Sequence, residues 1–143
     1  PPLHYSKKLH VEVVMSRDFI TKYQELRVYQ LAFEAAMSLR ELEYELPERE
    51  KTLLAEPMLL AARLVFIHVA AAWHKRYAYR AFITGISEAA AQAAKAQSWI
   101  EFAVTCGYFD AEKGQEIYRQ YDEIITALGR MSENASAWLV RGK

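Results

Sequence analysis

Between Pro57 and Trp73 the chain gives a helix almost nothing to present to water. The run reads Pro-Met-Leu-Leu-Ala-Ala-Arg-Leu-Val-Phe-Ile-His-Val-Ala-Ala-Ala-Trp, and only Arg63 and His68 are clearly polar. A surface helix keeps one face for solvent, whereas a helix that is apolar all round must be covered on every side. A chain of 143 residues is sized for one domain with one core. That core covers only part of the circumference, and the remainder calls for a partner subunit. The pattern constrains architecture and assembly first, and chemistry hardly at all.

The composition is 52% hydrophobic with five Gly and four Pro, which predicts a largely ordered chain. Lys plus Arg and Asp plus Glu both total 18. That balance gives no global attraction to nucleic acid or to an anionic membrane, and it favours self-association. A lone cysteine, Cys106, excludes an internal disulfide framework and fits a cytoplasmic protein. No cationic segment leads into an apolar one near the start, so no signal peptide is expected. A membrane span needs about 20 apolar residues. The Pro57–Trp73 run is shorter, rich in alanine and interrupted twice, so no membrane is expected.

Residues 1–15 read as an N-terminal extension and 16–143 as one bundle domain. In the extension Leu9, Val11 and Val13 alternate with His10 and Glu12, the period of a strand. One short strand finds no sheet in a helical chain, and the segment reads as a tail rather than an arm on a neighbour. The first helix is expected to begin at Ser16 or Asp18, both good N-caps. Its stripe is Phe19, Tyr23, Leu26, Gln30, Phe33, Met37 and Tyr44. Leu46-Pro47 ends it, because proline disfavours helical geometry in the residue before it.

A second helix is expected from about Glu48 to Arg76. Leu53, Pro57, Leu60, Leu64, His68 and Ala71 form one stripe on it. Met58, Val65 and Ala72 form another, and Leu59, Phe66 and Trp73 a third. Pro57 removes an amide donor and should kink the helix or split off a short first segment. The third helix should run from Tyr79 to Cys106 on Phe82, Ile86, Ala89, Ala93, Ala96, Ile100 and Ala103, with Gly107 as its left-handed cap. The fourth, capped by Asp110, carries Ile117, Tyr121, Ile124, Leu128, Met131, Ala135 and Trp138. Four amphipathic helices with short links predict an all-α, antiparallel up-down-up-down bundle.

Catalytic signals are missing where bundles usually keep them. Di-iron bundles carry Glu-x-x-His on two helices, and no histidine here has a carboxylate three residues before it. There is no Cys-x-x-Cys pair, no Gly-x-Ser-x-Gly elbow and no glycine-rich phosphate loop. No cofactor or metal is expected. Cys106 lies near a helix C-terminus, where the dipole raises a thiol pKa, and it reads as a small buried hydrophobe. His68 reads as a histidine satisfied by a polar neighbour. A ligand carrier or enzyme would have only His68, Glu88, Cys106 and the tyrosines to use.

One segment interleaves cations with rings: Trp73-His74-Lys75-Arg76-Tyr77-Ala78-Tyr79-Arg80. Lys75, Arg76 and Arg80 are the candidate nucleic-acid contacts, with the aromatics available for stacking. The same residues suit a helix end, where cations complement the dipole. Nothing else in the charge pattern builds a basic face.

Several stretches share one resemblance. Tyr23-Gln24-Glu25-Leu26-Arg27-Val28-Tyr29-Gln30-Leu31-Ala32-Phe33 resembles the opening helix of the bacterial four-helix-bundle proteins of the 23S rRNA intervening-sequence type. Leu46-Pro47 with Glu50 resembles that family's first turn. Trp73-His74-Lys75-Arg76 is similar to its second junction. Gln97-Ser98-Trp99-Ile100-Glu101-Phe102-Ala103, followed by Cys106-Gly107-Tyr108, is similar to the end of its third helix. The resemblance covers about Arg17 to Val140. It implies an up-down bundle assembling as a ring, typically a homopentamer, without enzyme activity. Through the related accessory protein of diversity-generating retroelements, it also implies an RNA-associated role by analogy.

The chain departs from the family pattern at clustered places. His68 and Ala71 stand where an Asn and an acidic residue are usual. Pro57, Leu59 and Leu60 replace more polar residues, and Ala89 to Ala96 replace a more acidic stretch. Natural drift and deliberate redesign of an interface both produce such a pattern, which marks an interaction surface. The expected function is that of a non-enzymatic, self-assembling scaffold subunit, with nucleic-acid binding as the alternative. Pro57, Leu59, Leu60, Arg63, Phe66, Ile67 and Trp73 are the expected interface, toward further copies or a second protein.

Overall fold

The computed structural model describes residues 20–140, and every regular element among them is helical. Four long helices carry the fold: α1 (Arg27–Leu42), α2 (Glu56–Trp73), α3 (Tyr79–Thr105) and α4 (Ala111–Glu133), followed by the short α5 (Ala135–Trp138). Each long helix packs against the next, and α4 closes back onto α1. The proposed extension over residues 1–15, its strand-like alternation, and the caps Ser16 and Asp18 lie outside the described residues.

The first helix starts later than its pattern suggests. Tyr23–Glu25 form one 3-10 turn, Leu26 is extended, and α1 begins at Arg27. Two side chains hold the break. Glu25 accepts the Thr21 backbone N–H at 2.8 Å, and Gln30 Nε2 donates to the Gln24 carbonyl at 2.9 Å. The buried face of α1 is also displaced from the expected stripe. Val28, Gln30, Ala32, Ala35, Ala36, Leu39 and Leu42 face the core, while Phe33 and Met37 are half-buried and Tyr44 is exposed. Alanines let the helix approach its neighbours closely, and the larger rings pack along its flank.

Pro57 divides the second helical region as expected. Glu48–Glu50 form a 3-10 turn and Lys51–Ala55 a π turn, in which the Glu56 N–H reaches the Lys51 carbonyl. Pro57 then falls in the first turn of α2, where a missing N–H is best tolerated. The helix ends at Trp73, three residues short of the expected Arg76. Residues 48–73 are long and apolar enough, by length and composition, to cross a membrane. Their inner face nonetheless belongs to the protein core: Met58, Ala61, Ala62, Val65, Val69 and Ala72 are buried there.

The third and fourth helices follow their patterns closely. All seven expected residues of α3 are buried, and six of the seven in the last stripe, with Trp138 half-buried. Gly107, at φ +77°, occupies the left-handed position. Its N–H meets the Val104 carbonyl and the Tyr108 N–H meets that of Ala103, so two otherwise open carbonyls are satisfied. Asp110 accepts the Lys113 N–H at 3.1 Å as N-cap of α4. Contacts between α3 and α4 run as a short link requires. A Cβ on Gly114 would meet Val104, and Gln97 reaches Tyr118 and Asp122. Cys106 corrects its expectation: it is exposed, because it is the C-cap where the chain leaves the core.

Candidate functional site

The surface that stands out lies on α2. Its outward residues are Glu56, Leu60, Arg63, Ile67 and Ala71, with Leu53 one turn earlier, and all six are exposed. From Glu56 to Ala71 these positions recur at three- and four-residue steps, so they form one stripe along α2, with Leu53 exposed in the π turn before it. Leu53 is 74% exposed, Leu60 57% and Ile67 48%. Each is a side chain whose burial would contribute about 1.5–3 kcal/mol. Leu53 was missing from the expected interface. Its seven-residue spacing from Leu60 is the signal that could have found it.

The structure sorts the other expected interface residues differently. Pro57, Leu59 and Phe66 are half-buried, with Leu59 and Phe66 packed on the core. Phe66 lies 5.0 Å from Phe33 and 5.9 Å from Tyr29, ring centroid to ring centroid. Trp73 is only 5% exposed, so its area is spent inside the protomer. His68 is half-buried and, among the described residues, has no side-chain partner. Water reaches it, and no polar neighbour is needed.

The aromatic–basic segment does not present three free cations. Arg76 folds back over Trp73, its guanidinium 3.4 Å from the ring centroid. Its Nε donates to the Trp73 carbonyl at 2.7 Å and its Nη1 to the Trp138 carbonyl at 3.4 Å. The Arg76 carbonyl accepts the Val140 N–H at 2.9 Å. Desolvation holds the guanidinium pKa below its ordinary value. Arg76 therefore ties the end of α2 to the segment after α5. Lys75 and Arg80 are exposed.

A concavity, absent from the sequence reading, lies between the start of α1 and the end of α4. It encloses about 610 Å³ and has Leu26, Leu31, Met131 and Trp138 among its apolar lining. Arg27 pairs with Glu123 there at 2.8 Å. Both side chains are substantially exposed, so the pair fixes geometry more than it stabilises. Among the described residues, no group of three or more His, Cys, Asp or Glu side chains converges as a metal site. Tyr108 donates to Glu50 at 2.8 Å, and that bond holds its phenol pKa above the ordinary value.

These features define a small helical protein whose distinctive surface is an apolar helix face. The chain belongs to the 23S rRNA-intervening sequence protein family, whose model matches residues 24–130. No curated protein matches the chain.

Proposed function

We propose that this protein is a non-enzymatic, self-assembling scaffold subunit whose α2 stripe is a contact surface between copies. The observation that carries this reading is the exposure of Leu60 and Ile67 on one side of α2, with Leu53 exposed in the π turn before it. Apolar side chains gathered on one face mark interaction sites, whereas scattered ones do not. The zero formal net charge removes the long-range repulsion that keeps copies apart. Family membership supports self-assembly, whichever face holds it, since the family resemblance implies a ring, typically of five copies.

Native mass spectrometry tests it by reading subunit number and co-purified material together. Two or more copies are expected, together with loss of assembly in Leu60→Asp. A parent protein that stays a single copy at every concentration refutes the reading.

A further inference from the structure

The exposed stripe carries a symmetry that identifies its occupant. We propose that it pairs with the same stripe of a second copy, the two α2 helices running in opposite directions about a two-fold axis beside Leu60. The proposal rests on the self-assembly reading above and specifies its geometry. Leu53 precedes Leu60 by seven residues and Ile67 follows it by seven. At 1.5 Å per residue Ile67 stands about 10 Å from Leu60, and Leu53, in the wider π turn before α2, stands somewhat nearer. Opposed copies therefore set Leu60 against the partner subunit's Leu60 and bring Leu53 close to the level of the partner subunit's Ile67.

The charges on the stripe select this orientation. Glu56 lies four residues before Leu60 and Arg63 three after it. Neither pairs with another described side chain. Opposed helices bring Glu56 to within about 1.5 Å, along the axis, of the level of the partner subunit's Arg63. The two-fold axis repeats that pair on the other side. Parallel helices in register would instead set Glu56 against Glu56 and Arg63 against Arg63, an arrangement that like-charge repulsion disfavours. The apolar positions flank Leu60 on both sides and the charged ones change sign across it. Self-complementarity of this kind is what an isologous contact requires. Such a contact closes after two copies and cannot by itself close a ring of five, so a ring would be held by another face.

Cysteine cross-linking in the full chain tests the geometry, with exposed Cys106 first replaced by serine. Only a residue beside a two-fold axis meets itself. Leu60→Cys, oxidised with copper–phenanthroline, should give a disulfide-linked dimer in high yield. Leu53→Cys alone should not, but mixed with Ile67→Cys it should give the heterodimer. Circular dichroism confirms that each variant keeps its helix content. In sedimentation equilibrium, Glu56→Arg and Arg63→Glu should each raise the self-dissociation constant about tenfold, and the double exchange should restore it. A multi-copy particle without the Leu60→Cys cross-link overturns the two-fold pairing and leaves self-assembly standing. A protein that sediments as one copy overturns both.

Discussion

A Cβ on Gly85 would lie 2.9 Å from the Cβ of Ala72 and 3.3 Å from its Cα. This near-contact of α3 with α2 sets how closely the two helices approach. Alanine is favoured over glycine by about 1 kcal/mol in a helix interior. Overpacking a tight contact costs about 1–3 kcal/mol, and the Cα of Ala72 cannot rotate away. Gly85→Ala should therefore lower stability, by up to about 2 kcal/mol. Gly129, also helical, has nothing within 4 Å of an added Cβ, so Gly129→Ala should raise stability by about 1 kcal/mol. Urea melts of the two variants should shift in opposite directions. A gain from Gly85→Ala would show that the helices can move apart freely.

Tyr121 is fully buried in the core, and its hydroxyl has no hydrogen-bond partner among the described residues. Leaving such a group unpaired costs about 1–3 kcal/mol. Tyr121→Phe keeps the ring and should raise stability at neutral pH by about 1 kcal/mol. Burial also pushes the phenol pKa far above its ordinary value. Above about pH 10 the unfolded chain loses this proton while the folded chain keeps it. The contribution to stability is therefore full below about pH 10 and is lost as pH rises beyond it. Denaturation at neutral and strongly alkaline pH should show a shallower alkaline decline in the phenylalanine variant. Equal slopes would mean that another group governs that limb.

The third and fourth helices were legible because their apolar stripes are regular and each is bounded by a local signal, Gly107 and Asp110. The first helix was harder to read. The middle of its core face is built from Ala32, Ala35 and Ala36, which carry little hydropathy contrast, so the larger Phe33 and Met37 drew the stripe to its flank. In the second, nearly every position is apolar, and periodicity cannot separate an inner from an outer face. Trp73 reads as an anchor by size alone. Its contact with Arg76, and the link from there to Trp138 and Val140, join segments more than 60 residues apart. No local pattern encodes that link. The groove between α1 and α4 was invisible for the same reason.

That link yields its own prediction. Arg76→Ala removes the stacked guanidinium and two donors to carbonyls, and should cost about 1–2 kcal/mol. Arg76→Lys should not restore the loss, since an ammonium lacks the planar fork that stacks and donates in two directions at once. Amide hydrogen exchange should quicken at Leu139 and Val140, while the centre of α3 stays protected. Unchanged exchange at Val140 would mean that the terminal segment is held by α5 alone.

Leu60 and Phe66 differ in what they contact, and introducing a charge at each should fail in a different way. Leu60 is mostly exposed and, in the proposed assembly, meets another copy. Leu60→Asp removes an anchor and buries a charge at the contact, so assembly should weaken by more than about tenfold. The protomer should fold normally, because the side chain adds little to its own core. Phe66 packs on Phe33 and Tyr29 within the chain. Phe66→Asp should therefore cost about 2–3 kcal/mol of protomer stability, less than truncating a fully buried aromatic. Light scattering and thermal melts on both variants separate the two effects. A Leu60→Asp protein with normal melting and undiminished mass would place the contact on some other face of the bundle.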